Sequence, residues 1–227
     1  MLVKNWMSTN VITVNEDGSM GDAMDLLKKH KIKMLPVMKK NELVGIVTDR
    51  DLKRASASDA TTLEIHELLY LISKIKVREI MSKPPITIPD DYTVEEAAEV
   101  LLKNKISGAP VVDDNGQIMG IITKNDIFRV LISLTGVGKK GIQFAFQLDD
   151  RPGSIKEVAD VIRLHGGRMV SILSSYEGVA QGSRKVYILM HGIEPVKLKE
   201  LEKELRQKAN LMYAVNHSED KRAFYQN

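Results

Sequence analysis

The chain has 227 residues, 43% of them hydrophobic, which is enough to bury ordinary cores and is typical of one to three domains. The net charge of +3 is evenly spread: residues 1–140 carry 20 Lys and Arg against 19 Asp and Glu, and residues 141–227 carry 13 against 11. No basic face is therefore indicated, and nucleic acid is not an expected partner. The absence of cysteine excludes disulfides and thiolate metal ligands or nucleophiles, and it fits a reducing compartment.

Apolar residues do not run long enough anywhere in the sequence to cross a membrane. A spanning helix needs roughly 18–20 apolar residues, and no run approaches that length. The N-terminal sequence MLVKNWMSTN also lacks the long apolar core of a signal peptide. We therefore expect a cytoplasmic protein that does not bind membranes.

The N-terminal part of the chain contains the same pattern twice. A constant shift places Met7–Val37 on Met81–Val111, with Met, Ser, Ile-Thr, Ala, Leu, Lys, Lys-Ile and Pro-Val in common. One extra residue near Gly116 lengthens the shift by one, and GIVTDRDL from Gly45 then matches GIITKNDI from Gly120. The pattern predicts two copies of one structural unit.

The residue pattern of each copy predicts the element order β-α-β-β-α. The β-rich runs VITV and ITI come first, and helices follow at Ser19 and at Thr93, which has Glu96 three residues on as a capping box. The strands MLPVM and GAPVV then pair with LVGIVT and IMGIIT in two hairpins, and a second helix is expected to begin at Asp51 and at Asp126. Helical spacing places six apolar side chains on the inward faces: Ala23, Leu26, Leu27, Ala97, Leu101 and Leu102.

The sequence divides into two repeats, a linker and a third unit. We assign residues 1–60 and 76–135 to the repeats and residues 61–75 to a connecting helix. After the glycine- and lysine-rich LTGVGKKG, residues 141–217 have the strands IQFAFQL, RMVSILSSY, RKVYILMHG and LMYAVNH. Helical patterns lie at Ile155–His165, ended by Gly166-Gly167, and at Pro195–Lys208. The resulting order, β-α-β-β-α-β, is ferredoxin-like, and the fold class of the whole chain is α+β.

A threonine and an aspartate recur where a buried strand gives way to a helix. They are Thr48 with Asp51 and Thr123 with Asp126. The first N–H groups of a helix are unpaired and its start favours negative charge, so this position suits a phosphate. The Asp offers two acceptor oxygens on the same side, which suits a vicinal diol such as ribose.

An arginine follows each aspartate by three positions, Arg54 in the first copy and Arg129 in the second. Thr, Asp and Arg at this spacing lie near one helix flank, and a base could stack against the apolar loops at Pro36 and Pro110. The alternative is plain capping, because Thr or Asp is a common residue before a helix. A cap does not need all three residues twice in register, which favours the nucleotide interpretation.

The two repeats resemble tandem CBS domains, a Bateman module, over about residues 1–135. The resemblance is carried by MSKPPITI, by ISGAPVVDDNGQIMGIITKNDI and by their first-half counterparts. It implies two clefts between the repeats that bind adenosine nucleotides, namely AMP, ADP, ATP or S-adenosylmethionine. By motif position, Asp51 and Asp126 would hold ribose hydroxyls, and Thr48 and Thr123 would meet phosphate. The adenine would be framed by the main chain around Thr13 and Thr87 and by the segments before Pro36 and Pro110, which include Ala109.

The two nucleotide sites are not expected to be equal. Before its proline the second repeat has Ser107-Gly108-Ala109, small residues that let a base approach closely. The first repeat has Lys33-Met34-Leu35, which fills that space and adds charge. We expect the Asp126 site to be the more open one, and the Asp51 site to prefer extra phosphate or to be blocked.

The third unit resembles an ACT domain over about residues 141–217, on its element order and on LDDRPGSIKEVADVIRLHGGRMVSI. The resemblance implies that an amino acid or a similar effector binds near the first turn. The candidates are Asp149, Arg151, Pro152, Gly153 and Ser154. Gly153 and Ser154 could bind a carboxylate at a helix start; the alternative is a simple turn with Ser154 as helix cap. A CBS pair followed by an ACT domain resembles the acetoin-utilisation AcuB-type proteins over nearly the whole chain.

The sequence carries no recognisable catalytic or metal-binding set. Its five histidines show no pair at metal spacing, and neither a Walker A string nor Gly-x-Ser-x-Gly occurs. We therefore expect a non-catalytic regulator, a homodimer, that binds adenosine nucleotide and possesses a second effector site, and that acts on a separate partner protein. The alternatives are an enzyme acting on an adenosine compound and a structural assembly module.

Overall fold

The computed structural model describes residues 1–58 and 73–225, with the backbone alone at residues 56–58. The chain forms two compact units, Met1–Phe128 and Arg129–Asn227. Most of the connecting helix predicted at residues 61–75 lies outside the described residues. No helix among the described residues is long and apolar enough to span a membrane.

Each repeat has the predicted order β-α-β-β-α, and the last helix of the second repeat continues past Phe128, where the first unit ends. The first repeat consists of β1 (Val14–Asn15), α1 (Met20–His30), β2 (Met34–Lys39), β3 (Glu42–Thr48) and α2 (Asp49–Ser58). A short helix, α3 (Val77–Ile80), precedes the second repeat, which consists of β4 (Ile88–Pro89), α4 (Val94–Lys103), β5 (Gly108–Val112), β6 (Ile118–Thr123) and α5 (Lys124–Thr135). The first strand of each repeat is shorter than predicted, and α2 and α5 begin two positions before the predicted Asp51 and Asp126.

The two repeats build the same three-stranded sheet. The strand orders are β1-β2-β3 and β4-β5-β6, each with a parallel first pair and an antiparallel second pair. The hairpin register shifts between Val37 and Met38 in one sheet and between Val111 and Val112 in the other. These positions coincide when Met7–Val37 is aligned with Met81–Val111, so the bulge belongs to the repeated pattern.

Capping boxes start α1 and α4. Thr93 Oγ1 accepts from the Glu96 N–H while the Glu96 carboxylate accepts from the Thr93 N–H, as predicted, and Ser19 and Asp22 form the same pair. Ala23, Leu27, Ala97 and Leu101 are buried as predicted, and Leu26 is partly buried against the core, but Leu102 is 69% exposed. The prediction for Leu102 is wrong because its neighbour Leu101, fully buried, already occupies the core side of this turn.

Each repeat is completed by the segment that precedes the other one. The N-terminal segment packs on the second repeat: Val3 is fully buried in its core, and Ser8 and Ile121 exchange backbone hydrogen bonds of 2.9 Å. On the first repeat, Ser82 and Ile46 exchange the equivalent bonds, at 2.8 and 3.0 Å. The repeats are therefore interlocked within one unit.

The second unit is an antiparallel sheet with two helices. It consists of β7 (Ile142–Asp149), α6 (Ser154–Leu164), β8 (Arg168–Ser175), β9 (Ser183–His191), α7 (Pro195–Lys208), β10 (Asn210–Asn216) and β11 (Lys221–Phe224). The strand order is β11-β10-β7-β9-β8. Phe144 and Phe146, on one face of β7, share a core with Ile162 of α6 and Leu205 of α7, so both helices pack on that face.

Strand β11 was not predicted, because LMYAVNH reads as the last strand and the next residues are polar. The turn between β10 and β11 contains Asp220 in the left-handed region, at φ 52°. Beyond it, β11 pairs with β10 in the register Tyr213 to Phe224, and Tyr225 packs against the core of the unit. β11 therefore forms a hairpin with the strand immediately before it, although its first residues Lys221 and Arg222 are charged.

Candidate functional site

The recurring threonine and aspartate form a reciprocal cap at the start of α2. Thr48 Oγ1 donates to Asp51 Oδ2 at 2.6 Å, and the Thr48 N–H donates to the same oxygen at 3.0 Å. The Asp51 N–H in turn donates to Thr48 Oγ1 at 3.3 Å. The helix begins at Asp49, and Asp51 therefore lies in its first turn, where a carboxylate is favoured by the helix dipole.

The second copy has the same geometry at the start of α5. Thr123 Oγ1 and the Thr123 N–H donate to Asp126 Oδ2 at 2.6 and 2.9 Å, and the Asp126 N–H donates to Thr123 Oγ1 at 3.4 Å. Asp126 and its counterpart Asp51 are only 6% and 8% exposed. A buried carboxylate needs hydrogen bonds, and the cap supplies two of them to one oxygen in each repeat.

Capping and ligand binding are compatible at these aspartates, because the cap uses one carboxylate oxygen. In the first repeat the other oxygen, Asp51 Oδ1, accepts from Arg54 Nη2 at 2.9 Å. The Arg54 side chain is 76% exposed, so this pair is screened by solvent and contributes about 0–1 kcal/mol. A carboxylate oxygen can accept a second hydrogen bond, which leaves capacity for a ligand hydroxyl.

Strand pairing brings the segment before each proline next to the cap. Met34, the first residue of β2, is the cross-strand partner of Thr48, and Gly108, the first residue of β5, is the partner of Thr123. Pro36 and Pro110 are buried inside β2 and β5, so the expectation that they form apolar loops for a stacked base is wrong. Ala109 is likewise buried, at 1% exposure.

The residues predicted to frame an adenine through their main chain precede the first strand of each repeat. Thr13 is exposed and Thr87 partly exposed, one position before β1 and β4 respectively. Because β1 pairs in parallel with β2, and β4 with β5, each threonine lies beside the hairpin that carries the cap. Arg129 follows Asp126 within α5, as Arg54 follows Asp51 within α2.

The candidate effector residues lie at the turn between β7 and α6. Asp149 ends β7 with a 79% exposed side chain, and Arg151 makes a bidentate ion pair with Glu157, with both contacts at 2.8 Å. This hydrogen bonding raises the pKa of Arg151 and lowers the pKa of Glu157. Arg151 is thus held by a residue of the helix that follows it, while Pro152 and Gly153 are exposed.

Ser154 does not cap α6, in contrast to the sequence-based alternative. The residue before the helix is Gly153, at φ 88°, and Ser154 is the first helical residue with only 4% exposure. Ser154 Oγ accepts from Arg184 Nη2 at 3.2 Å. The Ser154 hydroxyl, which was expected to accept from the N–H groups at the start of α6, therefore accepts from Arg184 of β9 instead.

Sequence reasoning missed Arg184. Its side chain is 17% exposed, and its Nε lies 3.6 Å from Asp150 Oδ1. Arg184 pairs across the sheet with Leu148, which faces the core. The position of the charged Arg184 opposite a core residue could have marked it as a candidate, but this position is known only once the register of β7 and β9 is known.

The described residues contain no group of three or more His, Asp or Glu side chains that could hold a metal ion. The chemistry that the caps offer is hydrogen bonding: two buried carboxylates, each with one oxygen outside the cap. Such an arrangement suits binding of a polyhydroxylated ligand.

Comparison with known proteins defines the class. The CBS domain family model matches residues 3–58 and 77–133. A CBS domain-containing protein of Dictyostelium discoideum is 35% identical over 135 residues, which cover 59% of this chain and 93% of that protein. The chain belongs to the CBS domain family, and its two repeats are a CBS pair.

Two further relatives differ in what surrounds the CBS pair. Inosine-5′-monophosphate dehydrogenase of Korarchaeum cryptofilum is 33% identical over 125 residues, which cover 55% of this chain but 23% of that enzyme. The similarity is thus confined to a minor part of the dehydrogenase. The crystal structure of the CBS domain pair of protein MJ0100, in complex with 5′-methylthioadenosine and S-adenosyl-L-methionine, is 35% identical with a TM-score of 0.51, over 62% of this chain and 98% of that one.

Proposed function

We propose that this chain is a non-catalytic regulatory protein whose CBS pair binds an adenosine nucleotide and passes the signal to a separate protein. The observation that carries the proposal is the repeated cap, in which a buried aspartate keeps one oxygen outside the capping bonds. The adenosine compounds bound by the related MJ0100 pair support the ligand class.

The aspartates would hold the ribose. Asp51 and Asp126 each accept two capping bonds on Oδ2, so a ribose hydroxyl would donate to Oδ1. Thr48 and Thr123 would approach phosphate through the start of the helix, with Arg54 and Arg129 one turn further along. The main chain at Thr13 and Thr87 would frame the adenine, as the resemblance to CBS domains implies.

The two sites differ in the residue beside the cap, and this difference supports unequal binding. In the second repeat that residue is Gly108, which has no side chain of its own but has the Met34 sulfur against it, whereas in the first repeat it is Met34 itself. The Asp126 site would accept AMP, ADP, ATP or S-adenosylmethionine more readily. The Asp51 site would favour additional phosphate, or it would stay empty.

The second unit would transmit the nucleotide signal to the regulated protein, or it would bind a second effector. Its strand and helix order supports the resemblance to an ACT domain. The exposed turn residues Asp149, Arg151, Pro152 and Gly153, with the buried Ser154 that begins α6, would bind an amino acid or a similar effector. A homodimer is the expected assembly. The regulated protein is expected to be a different polypeptide, because no catalytic set was recognised in the sequence.

Calorimetric titration of the full chain tests the nucleotide proposal. The ligands are 5′-methylthioadenosine, S-adenosylmethionine, AMP, ADP and ATP. At least one should bind, with two unequal sites or a single site per chain. Two equal, independent sites would contradict the proposed difference between the repeats, and no binding of any of the five ligands would refute the function.

Substitution of the aspartates tests whether they bind the nucleotide. Charge-assisted hydrogen bonds contribute about 1.5–3 kcal/mol each, so Asp126→Ala should weaken binding by roughly ten to a few hundred times. The matched control is Asp114→Ala, in the exposed turn at the other end of the same hairpin. Equal affinities for the two variants would remove the role given to Asp126. Incubation with ATP or AMP should give no product; turnover would favour the enzyme alternative.

A further inference from the structure

A cavity of about 230 Å³ lies at the end of the second unit's sheet where β7 begins. It is lined by residues from the start of β7, the end of β9 and the end of β10, and these strands are neighbours there: Ile142 pairs with both Met190 and Asn216. The exposed turn with Gly153 follows the other end of β7. The cavity therefore lies at the end of β7 opposite to the first-turn residues.

The floor of the cavity is apolar. Ile142 lines it and is 7% exposed, and Ile193 and Leu198 line it while packing against the core of the unit. Burying an aliphatic group against such a floor contributes about 0.8 kcal/mol for each CH₂ group removed from water. The floor thus suits a short aliphatic chain.

The rim of the cavity carries charges of both signs. Lys139 and His191 line it, and across the described residues the ammonium group of Lys139 has neither an ion-pair nor a hydrogen-bond partner. Glu219 also lines it, with Oε2 held at 2.7 Å from the Lys221 ammonium. A rim with a free ammonium and a fixed carboxylate suits a ligand that carries both charges.

The acidic part of the rim is fixed by local hydrogen bonds. Asn216 Oδ1 accepts from the N–H groups of Ser218 at 3.0 Å and of Glu219 at 3.3 Å, which closes the turn after β10. The His217 N–H donates to the Gly141 carbonyl at 2.8 Å, which ties this turn to the start of β7. A binding site held in this way loses little conformational freedom when a ligand enters.

The volume limits the ligand to a small molecule. Sites for drug-sized ligands have roughly 300–1,000 Å³, so 230 Å³ is too small for a nucleotide. We propose that this cavity binds a small zwitterion with an aliphatic side chain, in the class of the aliphatic α-amino acids. Lys139 holds the carboxylate, Glu219 holds the ammonium group, and Ile142, Ile193 and Leu198 receive the side chain.

The test uses four probes that separate these three contacts. Calorimetry and saturation-transfer NMR are carried out on the full chain with L-leucine, glycine, 4-methylpentanoate and 3-methylbutylamine. L-Leucine should bind. Glycine lacks the side chain, 4-methylpentanoate lacks the ammonium group and 3-methylbutylamine lacks the carboxylate, so each should bind at least about tenfold more weakly. Absence of L-leucine binding, or equal binding of the four probes, overturns the proposal.

Variants with matched neighbours place the ligand in the cavity. Lys139→Met and Glu219→Gln should each weaken L-leucine binding about tenfold. The controls Lys140→Met and Asp220→Asn change the adjacent residues, which do not line the cavity, and should leave the affinity unchanged. The same loss in a variant and its control overturns the proposal. Titration of the four variants with 5′-methylthioadenosine reports separately on the CBS pair, so failure of either site is recognised by itself.

Discussion

The sulfur atom of Met34 in the first repeat lies against Gly108 in the second, 3.2 Å from the position that a Cβ atom on Gly108 would occupy. The two residues occupy the same position in their repeats and begin the equivalent strands β2 and β5. Equivalent residues meet only where two copies are related by a local two-fold axis. Two side chains cannot fill the same point on such an axis, so a large residue in one repeat requires a small one in the other.

Gly108→Ala should destabilise the first unit. The new Cβ would lie 2.9 Å from the Ile122 carbonyl oxygen and 3.0 Å from Thr123 Cγ2, in addition to the Met34 contact. Overpacking of this kind costs about 1–3 kcal/mol, measured as a lower free energy of unfolding in urea. Because two of the contacts do not involve Met34, the loss should persist in a Met34→Ala background.

The control for this substitution is Gly138→Ala, since a Cβ at Gly138 has no heavy atom within 4 Å. It should leave the free energy of unfolding nearly unchanged. A Gly108→Ala protein as stable as the control would mean that Gly108 is not packed this closely against Ile122, Thr123 and Met34 in solution.

The threonine hydroxyl should stabilise each helix start. In Thr123→Val, Asp126 Oδ2 loses its 2.6 Å donor and the Asp126 N–H loses its acceptor. Loss of such a cap costs about 0.5–2 kcal/mol. Thr123→Ser keeps the hydroxyl and should unfold close to the wild-type urea concentration. Thr48→Val should behave in the same way, and equal stabilities for the Val and Ser variants would show that the hydroxyl contributes nothing.

The N-terminal segment should be part of the fold of the second repeat. Val3 is fully buried there, and removal of two methyl groups together with the resulting cavity costs about 2 kcal/mol or more. Val3→Ala should therefore lower the free energy of unfolding, whereas Lys4→Ala, an exposed neighbour, should not. Equal stability of the two variants would indicate that the segment is detached in solution.

Features encoded by local patterns could be predicted from the sequence. The order of strands and helices and the cap at Thr93 with Glu96 follow from short-range spacing. The reciprocal cap between Thr48 and Asp51, and between Thr123 and Asp126, was not predicted, because a cap was expected to need only one of the two residues. The constant offset between the repeats also predicted that both share one structure, and the identical position of the hairpin bulge agrees with it. The difference in size between Met34 and Gly108 could be recognised from the sequence because the two repeats could be aligned.

Non-local contacts could not be predicted. The pattern around Met7 and Met81 marks equivalent segments, but it does not say that each packs on the opposite repeat. A Cβ on Gly120 would lie 2.5 Å from Met7 Sδ, and one on Gly45 would lie 2.6 Å from Met81 Sδ. These glycines are required by side chains that are distant in the sequence, and local spacing carries no such information. Strand β11 was missed for a different reason: it pairs with the adjacent strand β10, but its charged residues Lys221 and Arg222 hide the strand pattern.

The capping boxes of α1 and α4 should make stability depend on acidic pH. Hydrogen bonds from Ser19, first from its hydroxyl and then from its N–H, lower the pKa of Asp22 below the ordinary 3.8. Hydrogen bonds from the N–H and hydroxyl of Thr93 lower the pKa of Glu96 below 4.5. A lowered pKa means that the folded chain binds fewer protons than the unfolded one. The contribution of these two carboxylates to the free energy of unfolding is therefore complete above their unfolded-state pKa values. It is lost as the pH falls through their folded-state pKa values.

Urea unfolding at a series of pH values from neutral to acidic measures this loss. In Asp22→Asn and Glu96→Gln the titrating carboxyl is absent, so each variant should be less stable than wild type at neutral pH and lose less stability on acidification. The control Glu99→Gln changes a residue of α4 outside the cap, and its pH profile should follow that of the wild type. Parallel profiles for Glu96→Gln and Glu99→Gln would mean that the Thr93 hydrogen bonds do not hold the Glu96 carboxylate in solution.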